Sequence, residues 1–329
     1  MTTRAGQAHS RAAADAVGMV AGYALDAVFG DPRRFHPVAG YGRLAASLEK
    51  RSYAPNRAAG SRHVAIAVGL PVIGAGIAAI ATRRRPVGRA MLMAATTWAV
   101  VGGASLRREA FAMARSLEDG DLDAARKRLR NLCGRDPSAL DAAELARATV
   151  ESVAENTSDA VVAPLAWGAV AGLPGLIGYR ALNTLDAMVG HRNARYARFG
   201  TAAARADDIA NLIPSRLTAA LTVLASPLAE GSPMRAAGVW FRDGNQHPSP
   251  NSGQCEAAMA GALGVTLGGP NVYFGQVHHR PLLGDGPSPT ADDVRRAAGL
   301  SAAIGVAALA LCVGNTLGRA WRRRRRSAT

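Results

Sequence analysis

The chain has 329 residues and a net charge of +15; 49% of it is hydrophobic, 5% aromatic and 19% charged. That apolar fraction excludes a disordered or collagen-like chain despite 36 glycines and 17 prolines, and the shortage of aromatics favours closely packed helices over a β-sandwich. Three isolated cysteines, Cys133, Cys255 and Cys312, form no CxxC pair, which argues against a disulfide framework and a structural zinc site. Lys50 and Lys127 are the only lysines and neither follows a GxxxxGK[ST] pattern, so a P-loop is excluded. A bound phosphate must be held by arginine forks, backbone N–H groups or a metal.

In chain order, the first apolar run (12–29) contains Asp15 and Asp26, which makes it a weaker span and not the clean core of a cleavable signal peptide. The turn-rich segment 30–38 carries Asp31, Arg33, Arg34 and His36 and reads as a ligand cradle. Run 64–82 is uncharged between Arg62-His63 and Arg83-Arg84-Arg85, and run 90–106 follows it. A bilayer core of about 30 Å needs roughly 20 helical residues, so both fit spans. Within the first, Gly74 to Ala79 matches GxGxxA, but no acidic ribose ligand follows about 20 residues on, so helix packing explains it better.

From 121 the character changes. Residues 121–132 predict an amphipathic basic helix, Arg135-Asp136-Pro137-Ser138 a turn and N-cap, and 139–154 a second helix. On that helix Glu144, Arg147, Glu151 and Glu155 recur at spacings of three and four and share a face, and Asn156 to Asp159 close it. Run 160–179 is uncharged but interrupted by Pro164, Gly172, Pro174 and Gly175, the pattern of a re-entrant or broken helix. Arg180, Asn183 and Asp186 then share a helical face, Asp207 and Asp208 pair in spacing with Asn211, and Pro214 is read as ending that helix before Arg216. After a short apolar run (217–229), segment 242–253 is a second cradle, with Ser249 and Asn251 between prolines and a glycine. Run 297–318 leads into Arg319 and the 322–326 arginine tail, which beside Trp321 reads as a cytoplasmic anchor and not as a nucleic-acid patch.

These runs predict an all-α, multi-pass integral membrane protein with about four to six apolar segments, some re-entrant. Residues 1–329 read as one integral membrane domain, with a polar helical loop at 107–159, a polar loop region at 230–296 and a basic tail at 319–329. Carboxylates that converge where the chain enters apolar surroundings are expensive unless they meet a cation or a partner. One or two carboxylates with substrate phosphate is how Mg²⁺ is usually held.

The strings GDPRRFHPV, ELARATVESVAENTSD, VVAPL, GLPG, YRALNTLDAMVG, ADDIANLIPSRLTA, HPSPNSG and EAAMAGALGVTLGG occur in this order. Together, from about residue 26 to residue 286, they resemble the membrane-bound cobalamin biosynthesis proteins of the CobD/CbiB type, the adenosylcobinamide-phosphate synthases. Gln254 and Cys255 stand where that family commonly has an aromatic and a proline, and His191 where it usually has an aromatic. The resemblance implies an inner-membrane enzyme that joins a propionate carboxyl of adenosylcobyric acid to aminopropanol or its phosphate, driven by ATP. Its partners would be the corrinoid, the amine, the bilayer and other late cobalamin-pathway membrane enzymes, with no nucleic acid.

Activation of a carboxylate as an acyl phosphate wants Mg²⁺ and arginine clamps. Glu151, Glu155 and Asp159, with Asp207 and Asp208, are therefore expected to hold metal or orient the amine, and Asp186 to act beside them. Arg147, Arg180 and Arg216 are expected to hold ATP or the aminopropanol phosphate, and Ser249 and Asn251 the amide-rich rim of the corrinoid. Asn156, Asn183, Asp31 and His36 complete the expected substrate contacts. Two other readings stay open. Asn183-x-x-Asp186 and Asp207-Asp208 would suit an Mg²⁺-dependent transferase acting on a diphosphate lipid, and broken apolar helices a corrinoid-binding transporter.

Overall fold

A computed structural model describes residues 4–32, 36–191, 193–273 and 276–326. The chain is built almost wholly of helices: α1 (Arg4–Phe29), α2 (Pro37–Ser52), α3 (Arg57–Ala81), α4 (Pro86–Val100), α5 (Gly103–Glu118), α6 (Leu122–Leu129), α7 (Ala142–Thr157), α8 (Ala163–Val189), α9 (Thr201–Ala225), α10 (Pro233–Asp243), α11 (Ser252–Leu263) and α12 (Ala291–Arg326). An antiparallel hairpin of β1 (Leu267–Tyr273) and β2 (Gln276–Leu283) precedes α12. Among the described residues five helical stretches are long and apolar enough to cross a membrane: His9–Phe29, Arg57–Ala81, Ala142–Val189, Thr201–Ala229 and Ala291–Arg322. The fold is that of an all-α, multi-pass membrane protein.

Two compact units make up the chain. The first holds Met1–Gly102, Ala163–Ala210 and Ala308–Thr329; the second holds Gly103–Val162 and Asn211–Ala307. The stretches read as polar loops, 107–159 and 230–296, thus form most of the second unit, and 230–296 contains α10, α11 and the hairpin.

In the first unit α1 lies closely against α4. A Cβ on Gly18 would come within 2.6 Å of the Ala90 carbonyl oxygen, and one on Gly22 within 2.5 Å of the Ala94 carbonyl oxygen. Small residues four apart let the two backbones approach. Asp15, which weakened α1 as a span, is closed by Arg89 through Nε to Oδ1 and NH2 to Oδ2, both at 2.7 Å. Run 90–106 does not form one helix. It breaks at Val101-Gly102, and α4 has 15 residues, about 22 Å at 1.5 Å per residue, which is short of a bilayer core. Gly74 and Gly76 lie inside α3, so the GxGxxA match has no strand before it; among the described residues nothing approaches a Cβ at either, so packing against them does not explain the two glycines.

Pro71 and Pro214 sit inside long helices without ending them. A helical proline leaves the carbonyl four residues earlier without its N–H donor. For Pro71 that carbonyl is Ala67, and the Tyr41 hydroxyl donates to it at 3.3 Å. For Pro214 it is Ala210, and the Trp167 indole N–H donates to it at 3.0 Å. Side-chain donors of this kind keep a proline tolerable in an apolar helix, and α9 consequently runs on to Ala225 where the sequence reading ended it. The break expected in 160–179 is present at Gly172, with φ 65° and ψ −146°, a conformation open to glycine alone.

The second unit starts its long helix differently from expectation. Asp141 caps α7 in a reciprocal capping box with Glu144, so the helix begins at Ala142 and not near 139. At its other end Asn156 to Asp159 do not close it; a π-helical turn over Ser158–Val162 carries it directly into α8. Met113, Leu129, Leu140 and Leu145 form a local core under α5 and α6. Every residue of α11 is buried, the mark of a helix enclosed on all sides.

Candidate active site

The polar centre of the second unit is assembled from α7, the loop between α6 and α7, α11 with the segment before it, and the hairpin. Glu151 on α7 is 3% exposed and its carboxylate is fully engaged. Arg135 from the loop pairs with one oxygen, Arg147 one turn back on α7 lies 3.5 Å from the other, and the Gly268 N–H donates to that oxygen at 2.8 Å. Arg147 also donates to the Gly268 carbonyl, and to the Pro270 carbonyl at 3.0 Å, so it ties α7 to β1. Gly268 sits at φ 84° in the register shift of the hairpin, where any Cβ would strike the Pro281 carbonyl. Only glycine lets the strand turn its N–H onto Glu151.

One turn further on, Glu155 is half-buried and accepts the Ser252 hydroxyl at 2.6 Å; its second oxygen takes no hydrogen bond among the described residues. Ser252 opens α11, and on the next turn stands Glu256, 1% exposed. Neither oxygen of Glu256 has a hydrogen-bond partner among the described residues. The nearest basic groups are Arg280 NH1 from β2 at 3.8 Å and His247 Nε2 at 4.0 Å. The Nδ1 of His247 accepts the Ser249 N–H at 3.0 Å, so the proton of the neutral ring sits on Nε2 and faces Glu256. Burial, and then the charges of Glu151 and Glu155, push the Glu256 carboxyl well above the usual range, against Arg280 and Arg135. Burial and then Arg280 push His247 down. The two groups lie 4.0 Å apart with no hydrogen bond between them among the described residues.

Sequence reasoning placed Glu151, Glu155 and Arg147 here and missed Glu256, His247, Arg135 and Arg280. Glu256 had a signal, as the lone carboxylate between Asp243 and Asp285. Arg135 was read only as part of a turn. The other expected residues fall elsewhere or have structural tasks. Asn156 donates back to the Ser152 carbonyl at 2.9 Å. Asp159 lies on the π turn. Ser249 Oγ accepts the N–H groups of Asn251 and Ser252, each at 3.2 Å, which folds the HPSPNS loop onto the start of α11. Asn251 Oδ1 accepts the Ser215 hydroxyl at 3.1 Å, and Arg216 donates to the Leu212 carbonyl at 2.9 Å.

Arg180, Asn183, Asp186, Asp207 and Asp208 belong to the first unit. There Arg180 NH1 reaches Asn183 Oδ1 at 3.4 Å and Asn183 Nδ2 reaches the buried Asp207 at 3.5 Å, so the two polar helix faces do meet. Asp186 stands against Gly190 where α8 ends, and Asp208 is half-buried. His36 is the N-cap of α2, its Nδ1 accepting the Val38 N–H at 3.2 Å, with Asp31 4.0 Å from its other nitrogen; the cradle's Arg33 and Arg34 lie outside the described residues.

The fit to a resident Mg²⁺ is poor. Among the described residues no group of three or more His, Cys, Asp or Glu side chains is arranged to hold a metal ion. Both oxygens of Glu151, one of the expected ligands, are already taken by guanidinium and backbone donors.

Comparison with known proteins bears on the same residues. The CobD/Cbib protein family matches residues 19–301. A cobalamin biosynthesis protein CobD of Mycobacterium tuberculosis is 51% identical over 301 residues, 91% of this chain and 95% of its own length. Proteins of the same name from Geobacter metallireducens and Rhodobacter capsulatus are 46% and 43% identical, over 80% and 88% of this chain and 85% and 96% of their own lengths. No solved structure matches. The family match runs from α1 into α12 and takes in every residue of the carboxylate–arginine centre, and the chain belongs to the CobD/CbiB family.

Proposed function

We propose that the protein acts in cobalamin biosynthesis as an ATP-dependent, amide-forming ligase of the cytoplasmic membrane. It joins adenosylcobyric acid to aminopropanol or aminopropanol phosphate and so forms adenosylcobinamide or its phosphate. The names of the relatives support the pathway. The observation that carries the chemistry is the buried grouping of Glu151, Glu155 and Glu256 with Arg135, Arg147, Arg280 and His247.

In the first step a substrate carboxylate oxygen attacks the γ-phosphorus of ATP, which gives an acyl phosphate and ADP. In the second the amine nitrogen attacks the acyl carbon, phosphate leaves, and the nitrogen sheds a proton. Mg²⁺ enters as the counter-ion of ATP, a part of that substrate. Glu155 is the half-buried carboxylate with an uncommitted oxygen, and we assign it the amine's proton. Glu151 acts indirectly, because its two arginines and the Gly268 N–H lock α7 to the hairpin. Arg280, a quarter exposed at its side chain, supplies the positive charge for the departing phosphate.

Release of ADP by the purified protein should require both the corrinoid and the amine. Glu155→Gln should lower that rate by about 10² or more, the usual worth of a general base. Glu144→Gln, on the exposed capping box, should leave it near the parent value. Full activity in Glu155→Gln would remove Glu155 from the chemistry, and product formation without ATP would favour the transferase reading instead.

A further inference from the structure

The break in α8 opens onto a second polar environment, in the first unit, that the amide chemistry does not use. A cavity of about 330 Å³ is lined there by Arg11 and Asp15 of α1, Arg89 of α4, Gly172 of α8, and Thr316 and Arg319 of α12. Its charges do not balance. Asp15 is wholly taken by the two-pronged bond from Arg89, whose remaining nitrogen donates to the Ala79 carbonyl at 3.2 Å. Among the described residues Arg11 donates only to the carbonyl of Gln7, one turn away at 3.3 Å. Arg319 donates to the carbonyl of Ala169, in the last turn before the Gly172 break. Neither Arg11 nor Arg319 pairs with a carboxylate among the described residues.

Two guanidinium groups without counter-ions, in a cavity walled by apolar helices, carry a cost that a bound anion removes. Arginine forks match phosphate oxygens in geometry as well as charge, and the volume lies at the lower end of the range for small-ligand sites. The flanking sequence says where the site lies along the spans. Arg83, Arg84 and Arg85 stand just before α4, and the 322–326 arginines follow the α12 residues that line the cavity. This is the arginine-rich end of the helices, at the depth of lipid headgroups.

We propose that Arg11 and Arg319 clamp a phosphate group in this cavity, supplied by the headgroup of an anionic phospholipid. The clamp would brace the broken end of α8 against α1 and α12. The test is native mass spectrometry of the full chain in a neutral detergent, titrated in separate arms with phosphatidylglycerol and with inorganic phosphate. The variants are Arg11→Gln, Arg11→Gln/Arg319→Gln, and, as a charge control, Arg83→Gln/Arg84→Gln.

The parent should retain one phosphatidylglycerol. The double variant should weaken that binding roughly tenfold, as expected when charge-assisted hydrogen bonds are lost. The exposed control pair should change it by no more than about twofold. Because Arg11 makes only a local bond, Arg11→Gln should weaken lipid binding with its melting temperature unchanged, which separates the site from the fold. Binding of inorganic phosphate but not lipid, with the same sensitivity to Arg11 and Arg319, would uphold the phosphate clamp and reassign its source to a soluble phosphate. An equal loss in the control pair, or no binding of either probe, would overturn the proposal.

Discussion

Glu256 and Asp243 are carboxylates of the second unit with opposite environments, and each makes its own statement about pH. Asp243 takes two bonds from Arg242 and the Gly284 N–H at 2.8 Å, and is held below the usual carboxylate range chiefly by Arg242. Its contribution to stability is present above the ordinary carboxyl value of about 3.9 and is lost as pH falls through its lowered value. Glu256, raised by burial and by Glu151 and Glu155, behaves in the reverse sense. Its neutral form suits the fold, so stability is complete below the ordinary value of about 4.3 and declines as pH rises through the raised one. Glu256→Gln, which imitates the neutral acid, should therefore melt at the same temperature or higher than the parent at alkaline pH. It should also lose part of the parent's alkaline decline. Identical melting curves against pH for both proteins would contradict the environment assigned to Glu256. Glu151→Gln should do the opposite and destabilise strongly, by about 3–5 kcal/mol, because it strips the charge partner from two buried arginines.

At the scale of elements, the long helices survive their prolines because aromatic donors meet the stranded carbonyls. Trp167→Phe should lower stability by about 1–3 kcal/mol by leaving the Ala210 carbonyl unsatisfied. In a Pro214→Ala background the helix supplies its own donor and the same substitution should cost less. Equal losses in both backgrounds would sever the indole from the proline. This device also explains a misreading, since Pro214 ends a helix by every local rule and only a tryptophan 47 residues earlier in the chain cancels the rule. Hydropathy made α1, α3, α8 and α12 legible, and the Gly172 break was readable from its Pro/Gly cluster. The hairpin was not, because its strand residues include Gly268, Gly269, Pro270 and Pro281, which are poor strand formers. What holds it is Arg147 and Glu151, contacts made across more than 100 residues of sequence.

At the scale of the whole molecule, the apolar helices and the polar chemistry are two consequences of one sequence pattern. Buried charges are tolerated where they are paired, as Asp15 with Arg89 and Glu151 with its arginines, and the exceptions point to ligands. The carboxylate stripe on α7 was legible from its spacing, and three of the centre's residues came from it. Glu256, His247 and Arg280 were not, because α11 and β2 reach α7 only through the tertiary fold. In the first unit the helical face of Arg180 and Asn183 was legible, and so, separately, was that of Asp207; that the two faces meet was not.

The central claim is the reaction itself, and mass spectrometry of its product tests that claim most directly. Purified protein in detergent would be incubated with adenosylcobyric acid, aminopropanol phosphate, Mg²⁺ and ATP, alongside a reaction lacking ATP. We predict a corrinoid heavier by the amine less one water, formed only when ATP is present. Unmodified corrinoid, recovered from folded protein that demonstrably binds it, would contradict the ligase reading.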